Sequence, residues 1–225
     1  MFANSIDPDH PLTPSELVFL NGEQFAKKVT LGNVELMHSG EKVSLAQLGE
    51  AILAAAFLAC EQAGAFRLEL KDRKAMLGLR KVRDLYAVPA SPRENLPEGS
   101  LEATFAELAN YLAQQDKNDI YTVLYTWLRK DSMAPWNTVL ELFKAGMAER
   151  GLLEATAEKK LKIFTVTHYT LPERTARLVK GQPVAPVKAM LESCQRTRPD
   201  VWKELEAGIK KAITARTESS NTDLD

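Results

Sequence analysis

Apolar residues recur along most of this chain at the three-to-four-residue spacing of helices. Twice that spacing stops at a glycine and gives way to alternation. Residues 13–16, TPSE, place a threonine N-cap three positions before a glutamate, with Pro14 at the first helical position, and predict a short helix to Leu20. Residues 30–40 have room for one short strand. SLAQ at 44–47 is a second capping box, and the alanine-rich stretch after it predicts a helix to Ala63 with Gly64 as its left-handed stop. FRLEL at 66–70 alternates as a strand does, and return strands from 76–79 and 82–88 predict a hairpin over 65–88. PASPRENLPEG, 89–99, reads as a loop and as the best internal linker.

In the second half, Ser100 caps a predicted helix to about Asp116, and Asp119 caps another to about Lys130. Pro135 breaks the pattern, a helix follows over 136–150, and Gly151 stops it. KIFTVT at 162–167 is the clearer strand of a second hairpin, with Ile163 and Val166 expected to feed the core. Pro172, Pro186 and Pro199 each sit where a helix can begin, which predicts helices at 172–180, 185–197 and 200–216. The fold class expected is therefore mainly α: a single-domain helical bundle over 13–216. It carries two small β-hairpins in winged-helix-like units of helix, glycine and hairpin. Residues 1–12 read as a flexible leader and the polar 217–225 as a disordered tail.

Composition narrows the classes. With 225 residues, 45% hydrophobic and 26% charged, the chain has the make-up of an ordinary globular domain that needs no staple. A net charge of -1 gives no global pull towards nucleic acid or anionic lipid, so any such binding needs a local patch. Cys60 and Cys194 lie in apolar helical contexts and point to a reduced, cytoplasmic setting, with one long-range disulfide as the other option. The start of the chain has no basic region followed by an apolar stretch, so it is not expected to be a secretory signal. The longest apolar run, 51–60, is too short to span a bilayer.

Catalytic chemistry finds no support. His10, His38 and His168 are far apart and form no metal spacing with the cysteines. No nucleophile elbow, phosphate loop or dinucleotide fingerprint is present. No catalytic residue, metal ligand or cofactor is assigned, and a non-enzymatic role is expected. Trp127, Trp136 and Trp202 sit at helical spacing among apolar neighbours and are expected in the core.

The local anomaly lies in the first hairpin. Lys71, Arg73, Lys74, Arg80, Lys81 and Arg83 face a single acid, Asp72, and flank an apolar tip of Met76, Leu77 and Leu79. That combination suits an anionic membrane surface, with the apolar tip entering the interface and the cations attracting it. It equally suits a homo-oligomer contact or, less well, a wing tracking nucleic-acid phosphates. A solvated hairpin packed on the core needs none of these. Arg129, Lys130, Lys144 and Arg150 form a secondary basic set near helix ends, where cations complement the helix dipole.

Taken in order, LTPSELVFLNG, LGEAILAAAFLACEQAGAFRLE, SLEATFAELANYL, YTVLYTWL and VLELFKAGMAERGLLEATAEKKLKIFTVTHYTLPE resemble the Golgi phosphoprotein 3 family over about 12–191. The resemblance implies a mostly helical peripheral membrane adaptor. It also implies binding of phosphatidylinositol 4-phosphate on a basic face and a hairpin used in membrane contact and self-association. The family's lipid site uses a tryptophan and an arginine at the start of the first long helix, and residues 38–57 contain neither. Arginines that the family places before the later helix-ending glycine are replaced here by Asn137 and Leu140. No pocket residue is therefore carried over, and the hairpin is what the resemblance retains. Nucleic acid is the less favoured partner, because residues 48–64 hold no Arg or Lys and 136–151 hold only Lys144 and Arg150.

Overall fold

The computed structural model describes residues 12–75, 80–90, 96–160 and 164–222; within these, nothing is described of the side chains at 73–75, 80–81, 159–160, 164–165 and 218–222. Its elements run α1 Pro14–Leu20, β1 Asn33–Glu35, β2 Lys42–Ser44, α2 Leu45–Gln62, β3 Phe66–Ala75 and β4 Arg80–Pro89. Then come α3 Leu101–Ala113, α4 Ile120–Leu128, α5 Pro135–Glu149, β5 Glu154–Lys160 and β6 Phe164–Thr170. Helices α6 Glu173–Gly181, α7 Ala185–Thr197 and α8 Pro199–Thr222 follow. The protein is mainly α, with three two-stranded antiparallel sheets among the described residues rather than two. The extra one, β1–β2, falls partly in the stretch given room for one strand.

Helix α2 is the centre of the fold. Its residues from Ile52 to Cys60 are all buried, which its run of alanines permits by letting neighbours approach on every side. Phe57 stacks on Phe105 of α3 with ring centroids 4.5 Å apart, and Phe105 meets Trp127 of α4 edge-on at 5.6 Å. Phe66 at the start of β3 completes the group, 6.1 Å from Phe57. Full burial of such a ring contributes about 2–3 kcal/mol. Gly49 is required for packing: a Cβ there would lie 2.7 Å from the Trp136 ring of α5.

The repeated unit is real. Both α2 and α5 end before a glycine of positive φ, Gly64 at 70° and Gly151 at 69°, and each runs into an antiparallel ribbon. Ala65 N–H returns to the Cys60 carbonyl and Leu152 N–H to that of Met147, the same six-to-one closure. The two ribbons are embedded differently. Phe66, Leu68, Leu85 and Ala87 of β3–β4 are buried. In β5–β6, Glu154 to Glu158 are exposed, Val166 is only half-buried, and Leu152 and Leu153 ahead of β5 enter the core instead. The expectation for Val166 is thus corrected; Ile163 lies outside the described residues.

Several ends also move. Helix α3 stops at Ala113, because Asp116 takes a positive φ of 54° and Lys117 N–H closes back on the Leu112 carbonyl. Helix α8 continues to Thr222, into the segment expected to be disordered. Residues 1–11 of the expected leader, the linker residues 91–95 and the last three residues lie outside the described residues. Leu12, the last residue of that expected leader, is instead buried in the core and its N–H reaches Gln182 Oε1 at 3.1 Å, which corrects its reading as flexible.

Candidate functional site

The β3–β4 ribbon changes character along its length. Strand alternation puts Phe66, Leu68 and Leu70 on one face with Leu85 and Ala87, and this apolar pattern ends at the Leu70–Leu85 rung. Lys71 and Asp72, the next residues of β3, are exposed. At about 3.3 Å per residue, the strand runs roughly 17 Å further to Ala75.

The first cations on this extension have acidic neighbours. Lys71 is paired with Asp84 in the ladder, and its Nζ sits 4.8 Å from the Tyr86 ring centroid. Arg83 reaches Asp72 at 3.2 Å and Asp200, at the start of α8, at 3.6 Å. Beyond them the ladder pairs Arg73 with Val82, Lys74 with Lys81 and Ala75 with Arg80. These outer rungs hold Arg73, Lys74, Arg80 and Lys81 and no acid. The register thus sets one lysine opposite another at Lys74–Lys81. The tip residues Met76, Leu77 and Leu79 lie outside the described residues.

The secondary basic set is not brought together as one open face. Arg129 and Lys130 are exposed after α4, where Arg129 has φ 58° and ψ −48° and Lys130 N–H reaches the Leu128 carbonyl at 2.6 Å. This is a strained three-residue turn. Lys144 is paired with Glu141 and lies 5.1 Å from the Tyr169 ring centroid. Arg150 turns inward: its Nη1 is 2.7 Å from Glu16 Oε1, and the two side chains are 9% and 2% exposed. Arg150 is thus an internal counter-ion, which corrects its reading as a surface cation and simple helix cap.

Sequence reasoning missed what Arg150 serves. Glu16 also accepts the Thr13 N–H at 2.9 Å. Glu102 of α3 lies nearby, fully buried, and takes the Ser15 N–H and hydroxyl at 3.0 Å each. Cys60 Sγ donates to the Glu102 carbonyl at 3.2 Å. Burial pushes the Glu16 carboxyl up to about 7, against the pull of Arg150 and with help from Glu102. Burial likewise raises Glu102 and lifts the Cys60 thiol well above its usual range, so that Cys60 is a protonated structural thiol. The partners that meet these two carboxyls come from distant parts of the chain, Arg150 for Glu16 and Ser15 for Glu102.

Both cysteines are free. Among the described residues, no cluster of His, Cys, Asp and Glu is arranged to hold a metal ion, and no helix is long and apolar enough to cross a membrane. A groove of about 560 Å³ lies away from the ribbon, between α2, α7, α8 and the loop after α1. Of the tryptophans expected in the core, Trp127 is buried, while Trp136 and Trp202 are half-buried and pack against the core, Trp202 in the wall of this groove. Comparison with protein-family models, with curated proteins and with solved structures finds no match to this chain.

Proposed function

We propose that this chain is a non-enzymatic peripheral adaptor that attaches to anionic, phosphoinositide-type membrane through the β3–β4 ribbon. One observation carries the reading. The outer rungs hold Arg73, Lys74, Arg80 and Lys81 with no acid among them, and Lys74 is paired with Lys81. A ladder that opposes like charges is strained alone and relieved by an anionic surface. Each such cation contributes about 1 kcal/mol of attraction at an anionic leaflet, so four give roughly 4 kcal/mol before screening. The apolar Met76, Leu77 and Leu79 between them in sequence add a term that salt does not screen.

A nucleic-acid reading has less support. In a winged-helix reader the helix before the wing enters the major groove. Here α2 is central to the fold, its residues from Ile52 to Cys60 are all buried, and residues 48–64 hold no Arg or Lys to meet phosphates. Vesicle co-sedimentation at rising salt tests the lipid reading. Binding to vesicles containing phosphatidylserine or phosphatidylinositol 4-phosphate, weakening as salt rises, is the expected result. Equal binding to neutral phosphatidylcholine, or none to either, defeats the reading.

A further inference from the structure

The groove of about 560 Å³ is of the size that holds a small organic ligand. Its floor includes Ala51 and Ala54 of α2, small residues that leave room between the helices, and Trp202 and Phe25 supply aromatic faces. The charge around this apolar floor is unbalanced. Glu23, Glu50, Glu192 and Glu206 line it against Lys27 and Lys188. Glu50 is only loosely neutralised: Lys210 Nζ stands 3.8 Å away on a side chain 55% exposed. Glu23 Oε2 is shut off from solvent with no hydrogen-bond partner, which leaves a buried acceptor unmet. An ammonium group already uses one of the rings, since Lys188 Nζ lies 5.9 Å from the Phe25 centroid.

We propose that the groove binds an amphipathic organic cation, an amine or quaternary ammonium carried on a small aromatic or alkyl body. The body lies on Ala51, Ala54 and Trp202, and the cation sits between Glu50 of α2 and Glu206 of α8. Burial and the nearby Glu206 charge raise the Glu50 carboxyl, with Lys210 opposing them; a cation seated between the two carboxyls relieves their mutual repulsion. An anionic ligand, including an acidic lipid headgroup, meets the wrong sign here. The groove is also separate from the ribbon. It uses Trp202, Glu206 and Ile209 of α8, whereas Glu204, Gly208 and Lys211 line a recess beside Val82 to Leu85.

Amide and indole NMR shifts during titration with 2-phenylethylamine provide the test, with benzyltrimethylammonium as a second cation. The neutral 2-phenylethanol and the anionic 3-phenylpropionate complete the series. Saturable shifts at Glu50 to Ala54 and at the Trp202 indole are expected with millimolar affinity, as a ligand of this size allows. The alcohol should bind about tenfold more weakly, and the double variant Glu50→Gln, Glu206→Gln should lose about tenfold for the amine. That variant keeps the side-chain shape, and its far-UV circular dichroism should match wild type. Glu141→Gln on α5 should leave the affinity unchanged. Equal binding of alcohol and amine, full affinity in a folded double variant, or no saturable shift at these positions overturns the proposal.

Discussion

Arg150 Nη1 stands 2.7 Å from Glu16 Oε1, so the residue that ends α5 is the counter-ion of a carboxyl in the first turn of α1. Removing one member of a buried pair strands the other. Arg150→Ala is expected to cost about 3 kcal/mol at pH 8, where Glu16 is mostly ionised. At pH 5, with Glu16 protonated, the cost should be clearly smaller. Urea unfolding at the two pH values measures both, and equal costs would show that the charge of Glu16 is irrelevant.

The intact protein should carry the mark of the same carboxyl. Glu16 titrates at about 7 when folded against its ordinary 4.5, so between these values the folded state holds the proton that the unfolded state has released. Its contribution is present in full below 4.5 and is lost as pH rises through about 7. The difference amounts to about 3 kcal/mol, and Glu102 acts in the same direction. Stability measured from pH 5 to pH 8 should therefore fall, and Glu16→Gln should flatten the slope. A Glu16→Gln protein with an unchanged slope would contradict this.

At Gly49 the expected effect is steric. Alanine favours a helix by about 1 kcal/mol over glycine, yet here its Cβ would meet the Trp136 ring at 2.7 Å. Overpacking of that kind costs about 1–3 kcal/mol, so Gly49→Ala should leave the protein no more stable, and by up to about 2 kcal/mol less so. Thermal unfolding reads the sign. A shift in tryptophan emission should accompany it as Trp136 moves outward. A more stable Gly49→Ala protein would mean that the ring gives way freely.

Local chemistry was well written in the sequence. Ser44, Ser100 and Asp119 cap α2, α3 and α4 as their side chains suggest, and Gly64 and Gly151 turn the chain as a left-handed stop requires. Long-range partnership was not. Arg150 in a last helical turn has a sufficient local explanation in the helix dipole, and Glu102 in a first turn likewise. Nothing local reveals that both belong to one buried group with Ser15 and Glu16. The groove was hidden for the same reason, since its lining comes from four separate stretches of chain. Asp116 and Arg129 ended their helices early by taking positive φ without being glycine, a choice set by the turns that follow them.

The central claim is that the basic ribbon trades stability for binding to anionic membrane, and Lys81→Glu tests it most directly. Opposing Lys74 with a glutamate replaces a like-charge rung by an attractive one, so the melting temperature should stay level or rise. The same change removes one cation and adds an anion, worth about 2 kcal/mol at the surface, or roughly thirtyfold in affinity. Flotation with vesicles containing phosphatidylserine or phosphatidylinositol 4-phosphate should therefore show wild type rising with the lipid and the equally folded variant largely left behind. Equal flotation of the two proteins, or no flotation of wild type, would contradict the account.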